Sequence, residues 1–179
     1  IVVAFSSYPI GTAFSVATVV RLLDDGEMDN SFSLDGIAYG DVLSITQDVV
    51  SGVKCYKDLI YVCGYANIYG TINFTLYRFK SDGSLDTGFD TDGIVAGPEG
   101  KCSDMGVQST GRPILAGYTT KGNREFLVTA YRPDGRRDST FAGIGFGYSP
   151  VKINGMALLP NDDIVLAGYH SVIAPFSFF

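Results

Sequence analysis

An all-β chain built from repeated units of four short antiparallel strands is the fold class this sequence predicts, on three observations. First, Asp-Gly-x-x-Asp-x-x-Phe occurs three times, at Asp25-Gly26/Asp29/Phe32, Asp82-Gly83/Asp86/Phe89 and Asp134-Gly135/Asp138/Phe141, with glycines 57 and then 52 residues apart. A period of this length marks one supersecondary unit repeated. Second, an apolar run ending in a small residue and an aromatic keeps the same rhythm. It reads Ile1-Val2-Val3-Ala4-Phe5, Ile60-Tyr61-Val62-Cys63-Gly64-Tyr65, Ile114-Leu115-Ala116-Gly117-Tyr118 and Ile164-Val165-Leu166-Ala167-Gly168-Tyr169. Third, 22 Gly, 11 Tyr and 12 Phe in 179 residues, alongside many Val, Ile and Thr, is the profile of short strands joined by tight turns. Long helices are not visible.

The second repeat shows each element. Leu59 to Tyr65 is a β-branched and aromatic run. In Asn73 to Phe79, Phe74, Leu76 and Arg78 fall on one face and Thr75, Tyr77 and Phe79 on the other. Ser81-Asp82-Gly83 then breaks the strand, because Asp-Gly supplies the φ > 0 position of a tight turn. Gly93 to Ala96 reads as a third strand and Met105 to Gln108 as a fourth. Ser109-Thr110-Gly111-Arg112 is a hairpin turn into the next repeat. The second strand recurs at Phe14 to Leu22 and Phe126 to Tyr131, and the third at Gly36 to Tyr39 and Gly143 to Phe146. The third copy, Tyr131-Arg132-Pro133-Asp134-Gly135, reads as two residues shorter before its Asp-Gly.

Four short antiparallel strands in just over fifty residues is the size of a β-propeller blade. The repeats fall at approximately 1-58, 59-112 and 113-163, with the start of a fourth at 164-179, in one repeat domain. A closed propeller needs at least about four blades, so three imply a larger propeller or a ring of about six completed by a second copy.

Residues 77 to 95, with Arg78, Asp82-Gly83-Ser84-Leu85-Asp86, Phe89 and Gly93, resemble the delta-60 repeat, whose units read Arg-x-x-x-Asp-Gly-Ser-Leu-Asp-x-x-Phe-Gly-x-x-Gly. Gly111-Arg112-Pro113-Ile114-Leu115-Ala116-Gly117 is similar to that family's Asp-Gly-Lys-Ile-Val-Val-Ala-Gly segment. The resemblance implies a propeller-like array of the kind found in large bacterial surface or secreted proteins and in some phage or viral ones, generally without assigned chemistry. Ala4-Phe5 departs from it where Gly-Tyr is otherwise found, Asp58 carries its turn without a neighbouring Gly, and Ala142 replaces the expected Asp.

A net charge of −6 and a pI of about 4.6 work against nucleic-acid binding, which needs a basic stripe. Arg132, Arg136 and Arg137 share one turn and read as a solvated loop. No apolar stretch approaches the roughly 20 residues of a membrane span, so membrane insertion is not expected. Cys55, Cys63 and Cys102 have no metal-ligand spacing and read as unpaired structural thiols, Cys63 filling the slot of Val3, Ala116 and Ala167.

Candidate chemistry is thin. Asp-Gly-x-x-Asp matches half of a calcium loop, but Leu23, Arg21, Lys80, Arg78, Arg132 and Ala130 occupy the upstream ligand slots. Each Asp is therefore expected to cap turn N–H groups and each Phe to pack between blades. Asp86, Asp90 and Asp92 are the residual calcium candidates. Glu99 and Glu125 are acids without counterparts in other copies and read as loop residues, although a glycosidase would need such a pair. The single histidine, His170, reads as a loop residue, and Gly97-Pro98-Glu99-Gly100-Lys101 as a turn without the context of a phosphate loop. Tyr8, Tyr69 and Tyr148 lie in connecting segments where they could stack on sugars, though local packing is expected for most of them.

These readings give no catalytic, cofactor-binding or metal residue and no cofactor. The function expected is a non-catalytic scaffold for recognition or structural assembly, extracellular, cell-surface or virion-associated. Its partners would be proteins or further copies of itself. A lectin-like carbohydrate-binding module is the alternative and a propeller hydrolase the third reading. Breaks in the repeat discriminate them, because breaks clustered on one rim mark a ligand site and evenly spread ones favour a scaffold.

Overall fold

The computed structural model describes residues 1–40, 47–120, 126–141 and 151–170. Twelve strands run through them: β1 (Val2–Ser7), β2 (Val16–Arg21), β3 (Ile37–Tyr39), β4 (Asp48–Tyr56), β5 (Leu59–Ile68), β6 (Thr71–Lys80), β7 (Ile94–Glu99), β8 (Lys101–Val107), β9 (Pro113–Tyr118), β10 (Phe126–Ala130), β11 (Val151–Leu158) and β12 (Ile164–His170). Among the described residues there is no helix. The strands form four successive antiparallel sheets, ordered β1-β2-β3, β4-β5-β6-β7, β10-β9-β8 and β11-β12. The four-stranded unit is thus complete in the second sheet, while the others hold three, three and two strands among the described residues. The third strand expected at Gly143 to Phe146 lies outside them.

The sheets are out of phase with the sequence repeats. The strand expected to close the second repeat is β8, and it pairs with β9 of the next sheet, Met105 opposite Leu115. The Gln108–Arg112 turn is too tight for β8 to do anything but fold back on β9, with the Gln108 N–H donating to Arg112 O at 2.9 Å. Each sheet boundary therefore falls just before β4, β8 and β11. Those three strands pack in succession, β4 against β8 and β8 against β11, and β1 packs on β4.

Both faces of the second sheet are buried, which is why β6 reads as a continuous apolar run. Phe74 and Leu76 face one cluster with Met105, Leu115 and Ala116 of the third sheet. Tyr77 and Phe79 face the other, with Ala17, Val19 and Phe32 of the first repeat. Stacking of neighbours is thus what supplies each repeat with a core.

A β-bulge recurs where the inner strand meets the strand after it. The register shifts between Val50 and Gly52, Cys102 and Asp104, and Ile153 and Gly155, each time opposite a glycine. The glycine is required there. A Cβ on Gly64 would lie 1.9 Å from Val49 O, on Gly117 2.0 Å from Lys101 O and on Gly168 2.0 Å from Lys152 O.

The ladders and turn bonds correct four sequence readings. Val2 pairs with Arg21 as Tyr61 pairs with Arg78, so Ala4, not Val3, is the counterpart of Cys63, and Phe5 takes the place of Gly64. Among the described residues β1 pairs with β2 alone, so no bulged strand meets Phe5. The third copy has lost no residues, for Arg132 N–H to Arg136 O and Asp138 N–H to Ala130 O reproduce Lys80 to Ser84 and Asp86 to Arg78. Ala130 therefore stands where Arg21 and Arg78 stand. Gly97 to Glu99 continue β7 instead of forming a turn, and His170 is a strand residue opposite Val151.

Candidate functional site

The feature built by the repeated motif is a junction between consecutive repeats. In the second repeat, β6 carries Arg78 to its end and the Asp82-Gly83 turn brings Asp86 back beside it. Arg78 Nε donates to Asp86 Oδ2 at 2.8 Å, and its Cζ lies 4.2 Å from the Phe89 ring centroid. The guanidinium, 8% exposed, then crosses into the third repeat, where Nη1 donates to Pro133 O at 2.5 Å. The backbone makes a second crossing, from Asp90 N–H to Asp134 O at 2.9 Å. A planar fork with several donors suits this task, as it can hold a carboxylate, a carbonyl and a ring face at once.

The first repeat repeats the arrangement. Arg21 Nε donates to Asp29 Oδ2 at 2.7 Å, Nη1 to Ser81 O at 2.5 Å, and Cζ lies 4.8 Å from the Phe32 centroid. Ser33 N–H reaches Asp82 O at 2.8 Å. The receiving turn needs glycine for two reasons. Its φ is +88° at both Gly83 and Gly135, and a Cβ would come within 2.9 Å of Ser33 N or 2.5 Å of Asp90 N.

In the third repeat Ala130 leaves the arginine position vacant, and Arg112 from the preceding hairpin supplies the guanidinium. It pairs with Asp138 and lies 5.0 Å from the Phe141 centroid. Arg112 occupies the place held by Leu59 and Asp163 in neighbouring sheets, a substitution by a residue distant in sequence but adjacent in space.

The aspartates act as turn caps. Asp25, Asp82 and Asp134 accept from the N–H of Glu27, Ser84 and Arg136, and Asp29, Asp86 and Asp138 from Ser31, Gly88 and Thr140. The Ser31 hydroxyl, and then Arg21, hold the Asp29 carboxyl below its ordinary range; Thr140 and then Arg112 do the same for Asp138. Phe32 and Phe89 are fully buried, and Phe141 is half-buried.

The residual calcium candidates do not converge. Asp92 caps Ile94 and Asp86 holds Arg78, and among the described residues no group of three metal-ligating side chains lies together. Glu99 belongs to β7, not a loop, while Glu125 and Tyr148 lie outside the described residues. Tyr8 and Tyr69 are exposed instead of packed locally, at 64% and 87%. Cys63 and Cys102 are buried, Cys55 is exposed, and all three are free thiols.

The arginine of the junction was not singled out as functional from the sequence, although its spacing, eight residues before the second Asp, is legible in two copies. Nothing local could have assigned Arg112.

The described residues thus form an all-β array of stacked antiparallel sheets joined by such junctions. A family model described as "Domain of unknown function (DUF5122) beta-propeller" matches residues 60–89, the stretch from β5 to the buried Phe89. No curated protein matches the chain.

Proposed function

We propose that this chain is a rigid, non-catalytic repeat scaffold for recognition or structural assembly, whose partners include further units of its own kind. The observation that supports this is the junction. Gly83 and Gly135 are each covered by the preceding repeat, whereas Gly26 of the first turn has nothing within 4 Å. That turn has the backbone of a receiving turn, so an arginine and an N–H group from another unit can dock on it. Val3 and Phe5 of β1, each 43% exposed, extend an apolar surface on the same sheet. The resemblance to delta-60 repeats supports a setting on a cell surface, in secretion or in a virus particle.

Light scattering at several concentrations tests the assembly. A mass at a multiple of 19.2 kDa is expected, and a folded chain that stays monomeric at every concentration overturns self-association. Turnover of any ester, glycoside or phosphate substrate would overturn the non-catalytic part. Exposure of Tyr8 and Tyr69 favours a lectin-like module as the second reading, and a glycan array without signal removes it.

A further inference from the structure

The breaks in the repeat that matter most are clustered between the second and third sheets. At the equivalent junction between the first and second sheets the positions are Tyr39, Phe79, Ser84 and Leu85, with Phe79 fully buried and Leu85 packed on the same cluster. One repeat later the register places Ala96, Tyr131, Arg136 and Arg137 there. A large side chain has become small, a phenyl has gained a hydroxyl, and two cations have replaced Ser and Leu. A cavity of about 430 Å³ occupies this junction, lined by Ala96, Gly97, Tyr131, Arg136, Arg137 and Asp90 among others. That volume is in the range of small-molecule sites, roughly 300–1,000 Å³.

The chemistry at its wall is unfinished. Tyr131 is 2% exposed, and neither its hydroxyl nor the buried Thr129 hydroxyl beside it makes a hydrogen bond of good geometry. At the preceding junction the place of Thr129 is held by Tyr77, which donates a hydrogen bond to Asp48 Oδ2 at 2.6 Å, and the place of Tyr131 by Phe79, which has no hydroxyl. Asp48 pairs with Ala66 one step before Val49 meets Tyr65, and the residue at that step before Lys101 meets Tyr118 is Gly100. The third sheet has thus lost the carboxylate at the Thr129 position and gained a buried hydroxyl at Tyr131. A buried donor without a well-formed bond is unfavourable, and a ligand that supplies an acceptor relieves it. Gly97 makes room for the phenol, since a Cβ there would lie 2.6 Å from the Tyr131 oxygen. Burial, partly offset by Thr129 and Arg137, pushes the Tyr131 phenol up to about 12, so it stays a donor at neutral pH.

We infer that this junction is a binding site for a small organic carboxylate, which accepts a hydrogen bond from Tyr131 and pairs with Arg136 and Arg137. No carboxylate among the described residues pairs with Arg137, and the Arg136 contact to Asp134 is a long, exposed 3.9 Å. Among the described residues, therefore, neither of these exposed cations is held by a close carboxylate. The inference stands independently of the scaffold reading.

The test is an NMR titration of the 15N-labelled chain with succinate, using succinamide as the neutral isostere and inorganic phosphate as a simple anion. Saturable shifts at the Gly97 and Gly135 amides are expected with succinate, at least tenfold weaker with succinamide. Three variants, each restoring the residue of the preceding repeat, should fold: A96Y fills the cavity, R136S/R137L removes the cations, and Y131F removes the donor. The first two are expected to abolish saturation. Y131F is expected to weaken binding about tenfold without loss of stability, because the hydroxyl it removes makes no hydrogen bond of good geometry in the free chain. Absence of saturable shifts in the unmodified chain, persistence of full binding in folded A96Y or R136S/R137L, or an equal response to phosphate would each overturn the proposal.

Discussion

Replacing Arg78 with Leu removes the centre of the junction between the second and third repeats. Leu keeps much of the aliphatic stem's packing, so the loss isolates the guanidinium. Three contacts disappear with it: the 2.8 Å pairing with Asp86, the 2.5 Å bond to Pro133 O and the stacking on Phe89 at 4.2 Å. Arg78 and Asp86 are 8% and 15% exposed in their side chains, so the pair lies much nearer the buried limit than the surface limit. Breaking a buried pair by removing one partner costs about 3–5 kcal/mol, against about 0–1 kcal/mol for an exposed one. Asp86 retains its bond from Gly88 N–H, which lowers the expectation to about 3 kcal/mol. A domain of this size holds about 5–15 kcal/mol in total, so the variant should remain folded but clearly weakened. The assay is urea unfolding followed by tyrosine fluorescence and circular dichroism. A double variant with Asp86→Leu should lose less than the sum of the two single losses. A loss below about 1 kcal/mol for R78L would refute the reasoning, since the pair would then be behaving as a solvated surface bridge.

The remaining predictions rest on the same framework. Arg112→Ala should cost about 1–3 kcal/mol through the loss of Asp138's partner, and R112L/A130R, which restores the arrangement of the second repeat, should recover most of it in the same urea assay. Gly64→Ala places a Cβ 1.9 Å from Val49 O and should abolish the folded spectrum or lower stability by several kcal/mol, about the scale of severe backbone conflicts, whereas Phe5→Gly at the equivalent place should leave the sheet intact. Asp29, Asp82, Asp138 and Asp162 all have folded pKa values lowered below 3.8, so their contribution is present above pH 4 and lost as pH falls through the folded values. Melting temperature should therefore drop below about pH 4, and a drop centred between pH 5 and 8 would contradict that assignment. Of the three thiols, Cys55 alone should react with a maleimide in the native chain, more slowly than a free thiol because partial burial raises its pKa; Cys63 and Cys102 should react only on unfolding.

Much of the architecture was legible because it is written locally. Alternation in Asn73 to Phe79 placed Leu76 and Tyr77 on opposite faces, and each now belongs to a different core cluster. Asp-Gly forced the turns, and the carboxylates cap them as their spacing requires. The errors share one origin. Aligning Phe5 with Tyr65 by residue type shifted β1 by one position, and only the ladder opposite Arg21 fixes it. Sequence identity between repeats likewise gave the period without the phase, because a hairpin looks the same whether it joins two sheets or lies within one. The basic turn is solvent-exposed, as its composition reads, but nothing in Arg136-Arg137 says that Ala96, 40 residues earlier, has emptied the space beside it.

The sequence by itself determined the strands, the turns and the rhythm that repeats them, because backbone propensity, side-chain alternation and turn chemistry act over a few residues. Only the tertiary structure decided which strand closes which sheet, that Arg112 substitutes for the arginine missing at Ala130, and that a buried phenol in the third repeat borders a cavity opposite Ala96. Those depend on which groups meet across sheets, and a contact between residues 18 or 35 positions apart is set by packing, which no local pattern encodes.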